Sequence, residues 1–226
     1  MAADDGESAE QRRGQVVGVA TATGDLHSLE SGKLSVDRVL VAGPSSGRDL
    51  AGHEAAIAEW LEEGGQLLAI GLGESEANAF LPFEVHTRIE EYIATFFEPQ
   101  GAGSPVAGIG PADLHNRDPR ELPLVTGGAV VLGNGVLARS EDVNLVFLQL
   151  APWRFDPEQQ NQARVYRRTS FALSRLLGNL GVAGSTPLLG RFRDPVTPGG
   201  AEKRWLDGLY LDRPEEWDDP YRFFRW

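Results

Sequence analysis

The chain has 226 residues, with 33 acidic against 21 basic side chains, a formal net charge of −12 and no cysteine. A chain of this length can form one large domain that buries about 70% of its unfolded surface. The lack of cysteine excludes thiolate nucleophiles, thiolate zinc sites and disulfides. The negative charge disfavours nucleic acid and anionic membranes as partners but leaves neutral ligands such as sugars unaffected. No apolar run approaches about 18 residues, so we expect no membrane span.

Composition divides the chain into three parts. Residues 1–14 are polar and acidic, which predicts a disordered leader. Residues 15–183 carry the periodic patterns of one α/β domain. Residues 184–226 lose that periodicity and are rich in proline, yet they keep many large apolar side chains. We therefore expect an irregular extension that packs on its own domain or on a partner.

A parallel strand, helix and strand unit is predicted between residues 39 and 72. Residues 39–42 are wholly apolar and close on Gly43-Pro44, as in a strand covered on both faces. One helix is expected over residues 49–63, because its apolar side chains fall near one face and glycines follow it. Residues 67–72 give a second buried strand. A weaker strand pattern over residues 16–22 precedes the unit.

The second half of the domain predicts further strands and one long helix. Residues 84–97 fit a helix and a strand equally well. Short strands are expected at residues 122–125, 129–132, 136–138 and 144–150, with Asn134-Gly135 as a hairpin turn. A helix is expected over residues 159–180, with its arginines mostly off the apolar stripe. The sequence thus predicts a flavodoxin-like α/β fold: a mostly parallel sheet with helices on both faces, an antiparallel hairpin and an irregular aromatic C-terminal extension.

The turn after residue 72 holds Ser75 between Glu74 and Glu76. Hydrolases of the α/β class and class I glutamine amidotransferases carry a nucleophile at such a turn. Ser75 could serve as a nucleophile with His115 as its base, or a carboxylate pair among Glu74, Glu76 and Asp113 could hydrolyse glycosides. The flanking carboxylates disfavour an oxyanion beside the serine. We favour a polar turn at the sheet edge, and no catalytic residue is assigned.

A dense polar loop carries the candidate binding residues Asp113, His115, Asn116, Arg117 and Asp118. These side chains could bind a sugar, or three of them could bind a metal. A single histidine is weak evidence for a metal site, so we predict neither a bound metal nor a cofactor. A loop held by its own Asp-Arg pairs and turn bonds is the favoured interpretation.

The C-terminal segment alternates aromatic and charged residues. Its candidate interface residues are Trp217, Tyr221, Phe223, Phe224 and Trp226. Aromatic and arginine side chains supply most of the binding energy in protein interfaces. We rank docking to a partner first, packing on the same domain second and direct sugar binding third.

Two sets of segments carry a resemblance to known families. Residues 39–44, 60–65 and 67–72 resemble the class I glutamine amidotransferase-like domain. Residues 110–118, 147–156 and 167–171 look like the C-terminal part of large bacterial glycoside hydrolases of the β-galactosidase type. Ser75 stands about where the amidotransferase cysteine would be, so no Cys-His-Glu triad can form and glutaminase activity is excluded.

The resemblance implies a non-catalytic amidotransferase-like domain or subunit of a glycoside hydrolase, which supports assembly and the rim of the substrate cleft. Its implied partner is the catalytic domain or chain, or a second copy of itself, with carbohydrate as a further candidate. A soluble protein of the bacterial cytoplasm or periplasm fits this setting. Two alternatives stay open: a hydrolase in its own right and a stand-alone sugar-binding module.

Overall fold

The computed structural model describes residues 16–19, 39–116 and 118–182. Among these residues, six strands form one sheet, and their bounds in chain order are β1 Val16–Val19, β2 Val39–Ala42, β3 Gln66–Ile70, β6 Val130–Leu132, β7 Leu137–Arg139 and β8 Asn144–Leu148. The remaining two strands, β4 His86–Tyr92 and β5 Arg120–Gly127, form a separate antiparallel pair. The predicted leader and extension lie outside the described residues.

The large sheet has the strand order β1-β2-β3-β8-β7-β6. Strands β1, β2, β3 and β8 are parallel, whereas β7 and β6 are antiparallel to their neighbours. The β6–β7 hairpin turns at Asn134, which has a φ of 58°, and Gly135, which has a φ of 88°. The predicted mostly parallel sheet with an antiparallel hairpin is confirmed.

In the described ranges, four α-helices accompany the strands: α1 Ser46–Leu50, α2 Glu54–Glu62, α3 Glu74–Ala77 and α4 Gln160–Asn179. The same part of the chain contains three short 3-10 helices, at Pro111–Leu114, Gly133–Gly135 and Pro152–Arg154. The long helix predicted over residues 159–180 is confirmed as α4.

The sheet buries side chains on both faces. Along β3, Leu68 and Ile70 belong to one apolar cluster, whereas Leu67 and Ala69 belong to another. Successive strand residues point to opposite faces, which explains this division. The first cluster, here called the α4 cluster, includes the buried stripe of α4; the second, the α2 cluster, includes the buried side of α2. Helices on both faces are therefore confirmed.

The β4–β5 pair resolves the ambiguity of residues 84–97 in favour of a strand. Tyr92, at the end of β4, is 2% exposed and packs in the α4 cluster. Its hydroxyl donates a hydrogen bond to the carbonyl oxygen of Leu114 at 2.9 Å. Next to it, the backbone amide of Asn116 donates a hydrogen bond to the carbonyl oxygen of Ile93 at 2.7 Å. These bonds join the end of β4 to the polar loop.

Two predictions about helices are wrong. The single helix expected over residues 49–63 is divided into α1 and α2, because Gly52 between them has a φ of 91°, which a right-handed helix cannot contain. The arginines of α4 are not mostly outside the buried surface, since Arg164, Arg168 and Arg175 are all less than 10% exposed. Long arginine stems can be buried along apolar surface, which sequence periodicity does not register.

The flavodoxin-like arrangement is not shown by the described strands. A flavodoxin-like order places the first strand between the second and the third. Here β1 lies at the edge of the sheet, beside β2. The mixed α/β class is established, and the finer assignment stays a prediction.

Candidate functional site

The carboxyl ends of β2, β3 and β8 meet at one edge of the sheet, because these strands are parallel neighbours. The chain leaving β3 enters α3, whose Ala77 packs in the α2 cluster. The chain leaving β8 leads to α4 on the opposite face. Where the connections of neighbouring strands leave to opposite faces, a crevice opens between them, and α/β proteins bind ligands there.

Glu76 is engaged by two loops of this edge. Its Oε1 accepts a hydrogen bond from the amide of Ser45 at 2.6 Å, and its Oε2 accepts one from the amide of Gly73 at 3.3 Å. Ser45 lies in the loop after β2 and has a φ of 76°, a conformation that non-glycine residues adopt only rarely. The carboxylate therefore joins the loop after β2 to the turn after β3.

Glu74 connects the same turn to β4. Its Oε2 accepts a hydrogen bond from the amide of Thr87 at 3.0 Å, and its own amide donates to the Thr87 hydroxyl at 3.0 Å. The Nδ1 atom of His86 lies 3.8 Å from the other carboxylate oxygen. Ser75, between the two glutamates, is exposed on α3.

Two buried polar side chains line this edge, and the sequence predictions did not include them. Gln149, directly after β8, is fully buried; its Nε2 donates to the carbonyl oxygen of Leu72 at 3.1 Å. Its Oε1 has no hydrogen-bond partner among the described residues, and the same holds for the buried hydroxyl of Ser46. Unpartnered buried oxygens are uncommon in native proteins, so each of the two calls for an explanation, such as an ordered water or a functional role.

Trp153 was also missed as a site residue. Its side chain is 55% exposed, which is unusual for so large an apolar group. A Cβ atom placed on Gly43 would lie 3.9 Å from its Cζ2 atom. Since Gly43 follows β2 and Trp153 follows β8, the indole reaches across the end of β3. The signal in the sequence was the polar Gln149 directly after the apolar residues 145–148, with a tryptophan four residues later.

The polar loop is held by internal hydrogen bonds. Asp113 is fully buried, and its Oδ2 accepts from the amide of Gly110 at 2.8 Å. Asn116 is also buried, and its Oδ1 accepts from the amide of Asp118 at 2.9 Å. Asp118 forms an ion pair with Arg120 at 2.7 Å. These bonds agree with the favoured interpretation of a structurally fixed loop.

The loop offers no metal site among the residues that the structure describes, since no group of three His, Cys, Asp or Glu side chains there could hold an ion. Burial raises the pKa of the Tyr92 phenol well above its ordinary value, so this hydroxyl stays protonated where it meets the loop. Arg117 and the five aromatic interface candidates lie outside the described residues.

The two sets of candidate residues lie on different sides of the sheet. Leu114, next to His115, packs in the α4 cluster, whereas Ala77, two residues from Ser75, packs in the α2 cluster. The structure therefore does not bring Ser75 and His115 together as a nucleophile and its base. It brings the Ser75 turn together with Ser46, Gln149 and Trp153 instead.

Comparisons with protein-family models, curated proteins and solved structures found no match for this chain. The resemblance to amidotransferase-like domains of glycoside hydrolases therefore stays a prediction. Within the described part of the chain, no helix combines the length and apolar character needed to cross a membrane.

Proposed function

We propose that the chain is a non-catalytic, amidotransferase-like domain or subunit of a carbohydrate-active enzyme of the glycoside hydrolase class. The observation that supports this proposal most is the use of both glutamates beside Ser75. Glu76 accepts hydrogen bonds from two backbone amides, and Glu74 binds the backbone and hydroxyl of Thr87. Through these hydrogen bonds, the turn that holds Ser75 connects neighbouring loops.

The geometry gives little support to a nucleophilic serine. A serine nucleophile needs a base within hydrogen-bond reach and donors for the developing oxyanion. Residues adjoining Ser75 and His115 pack on different faces of the sheet. Two carboxylates flank the serine where donors would be needed.

A glycosidase built on Glu74 and Glu76 is disfavoured for a related reason. Glycoside hydrolysis needs one carboxyl group free to donate a proton and a second facing the sugar. Here Oε2 of Glu74 and both carboxylate oxygens of Glu76 accept hydrogen bonds from backbone amides. The catalytic carboxylates of the proposed enzyme would come from another domain or chain.

The proposed partner is that catalytic domain or chain, with a second copy of this protein as the alternative. The aromatic segment at residues 217–226 is the proposed contact, because aromatic and arginine side chains dominate interface energies.

Hydrolysis assays of the purified chain test the non-catalytic part of the proposal. Aryl-glycosides and aryl-esters should show no turnover above buffer. Turnover by the wild type that disappears in Ser75→Ala or Glu76→Gln would overturn it. A contaminating hydrolase would be equally active in all preparations, so identical purification of the three proteins provides the control.

Co-purification tests the second part of the proposal, the association with a catalytic domain or chain. Purified under native conditions, the chain should co-elute in fixed stoichiometry with a polypeptide, or be joined to one, that hydrolyses aryl-glycosides. Trp217→Ala should weaken this association. A full-length chain that elutes alone, with no aryl-glycosidase activity in its complexes, would contradict the assignment.

A further inference from the structure

We propose that the crevice at the carboxyl ends of β3 and β8 binds a neutral polyhydroxylated ligand, with Trp153 as its stacking platform and Gln149 as a hydrogen-bond acceptor. The choice of carbohydrate among such ligands rests on the proposed function. The binding site itself rests on the topology, the exposed indole and the buried amide.

The topology places the ligand. Strands β3 and β8 are paired in register, so their carboxyl ends lie side by side, about 5 Å apart. The turn after β3 leads to the α2 cluster, and the loop after β8 leads to the α4 cluster. In α/β proteins, ligands bind in the crevice between loops that depart to opposite faces in this way.

Trp153 supplies an apolar surface beside that space. The indole lies next to Gly43, where an added Cβ atom would make an ordinary van der Waals contact with its Cζ2 atom at 3.9 Å. Trp153 is 55% exposed, so about half of its surface is available for contact with a ligand. The apolar C–H faces of sugar rings fit such a surface, and tryptophan gives up few rotamers on binding.

Gln149 supplies directional recognition. Its Nε2 donates to Leu72, which fixes the amide so that Oε1 is the acceptor left over. Ser46 adds a buried hydroxyl that can donate or accept. A ligand hydroxyl satisfies both kinds of group, because it is itself a donor and an acceptor.

The charge of the crevice selects a neutral ligand. The three loops, residues 43–46, 71–76 and 149–153, contain no lysine or arginine. They do contain Glu74 and Glu76, and the whole chain carries a net charge of −12. Phosphorylated or carboxylated ligands would be repelled, whereas neutral sugars would not.

Calorimetric titration of the full chain with galactose, lactose, cellobiose and xylobiose tests the inference. We expect saturable binding of at least one sugar, with a dissociation constant of about 1 mM, and no binding of glycerol, which has no ring to stack. Trp153→Ala should weaken binding about tenfold, and Trp153→Phe should retain most of it. Phe96→Ala is the matched control, because Phe96 is 75% exposed but lies in the segment after β4. It should bind as the wild type does.

Gln149→Leu should weaken binding without changing the platform. If that variant fails to fold, the Trp153 and Phe96 pair still decides the question, because both side chains are exposed. Absence of saturable binding, or equal affinities of Trp153→Ala and Phe96→Ala, would overturn the inference. If the chain associates with a hydrolase but binds no sugar, this inference is wrong and the proposed function stands. If the chain binds sugar through Trp153 but has no hydrolase partner, the proposed function is wrong and this inference stands.

Discussion

Single polar side chains fix several loops of this protein. Glu76 joins the loops after β2 and β3, and the side-chain amide of Asn116 donates to the carbonyl oxygen of Tyr92 at the end of β4 at 3.4 Å. Each of these side chains meets backbone groups that regular secondary structure leaves unpaired. Satisfying such groups when they are buried is worth about 1 to 3 kcal/mol apiece.

Because of Tyr92, the free energy of unfolding should depend on pH in the alkaline range. Burial raises its pKa, so it stays protonated in the fold, whereas the unfolded chain releases this proton near pH 10. Its stabilising effect is therefore complete below about pH 10 and declines as the pH rises further. Tyr92→Phe loses the bond to Leu114 and should be about 1 to 2 kcal/mol less stable at neutral pH.

Urea unfolding at about pH 7 and about pH 11 measures this effect. The stability difference between the wild type and Tyr92→Phe should shrink at the higher pH. Tyr166→Phe, at a partly buried position of α4, is the comparison. A difference for Tyr92→Phe that stays constant across this range would contradict the explanation.

Gly47 allows α1 and α3 to approach closely. A Cβ atom at this position would lie 2.6 Å from the carbonyl oxygen and 2.7 Å from the Cα of Glu76. Gly47→Ala should therefore lower the free energy of unfolding by about 1 to 3 kcal/mol in a urea titration. Gly101→Ala is the matched control, since its added methyl would meet open space. Equal stabilities of the two variants would argue against the contact.

At the level of elements, the sequence predicted best those strands and helices that a local pattern of apolar residues determines. The apolar runs of β2 and β3 and the long periodicity of α4 were recognised because burial on both faces or along one stripe leaves a direct pattern. The break between α1 and α2 was missed, since Gly52 does not reveal its positive φ in the sequence. The pairing of β4 with β5 was missed as well, because about 30 residues separate the two strands.

The candidate site was predicted only in part. The turn at Ser75 follows directly from a strand pattern, so its position at the sheet edge could be predicted. The meeting of Gln149 and Trp153 with that turn could not, because it depends on β8 lying next to β3 rather than on any short motif. Strand order is a long-range property, and one sequence constrains it weakly.

Asn78 closes the connection between α3 and β4. Its Nδ2 donates to the carbonyl oxygen of Val85 at 2.9 Å, and its Oδ1 accepts from the amide of Val85 at 2.8 Å. Asn78→Ala should leave both backbone groups without these partners and destabilise the protein by about 1 to 3 kcal/mol. The Val85 amide should also exchange its hydrogen faster.

Asn78→Asp sharpens this test, because it keeps the acceptor and removes the donor. We expect it to lie between the wild type and Asn78→Ala in stability, with the Val85 amide still protected. If hydrogen exchange at Val85 were the same in all three proteins, the side chain would not be what closes the connection.

The whole molecule combines one shared sheet with a large negative charge. Both apolar clusters include residues of β2, β3 and β8, so loss of the sheet would expose both. The net charge of −12 opposes the compact state through repulsion among acidic side chains.

Salt should therefore stabilise the protein. Raising NaCl from about 0.05 M to about 0.5 M shortens the range of charge repulsion, and the melting temperature should rise by a few degrees. KCl at equal ionic strength should act alike, because screening does not depend on which of these cations is present. A melting temperature that falls with either salt would show that attractive ion pairs outweigh the repulsion.

The hydrogen bonds at the two ends of β4 also bear on self-association. An unpaired strand edge invites a strand from another molecule, and β4 carries the exposed Ile89 in its middle. Yet Glu74 receives the Thr87 amide near its beginning, and Asn116 donates to Ile93 just beyond its end. An incoming strand would find backbone groups to pair with only between these two points. The part of this edge that another strand could pair with is thus confined to the residues between Thr87 and Ile93.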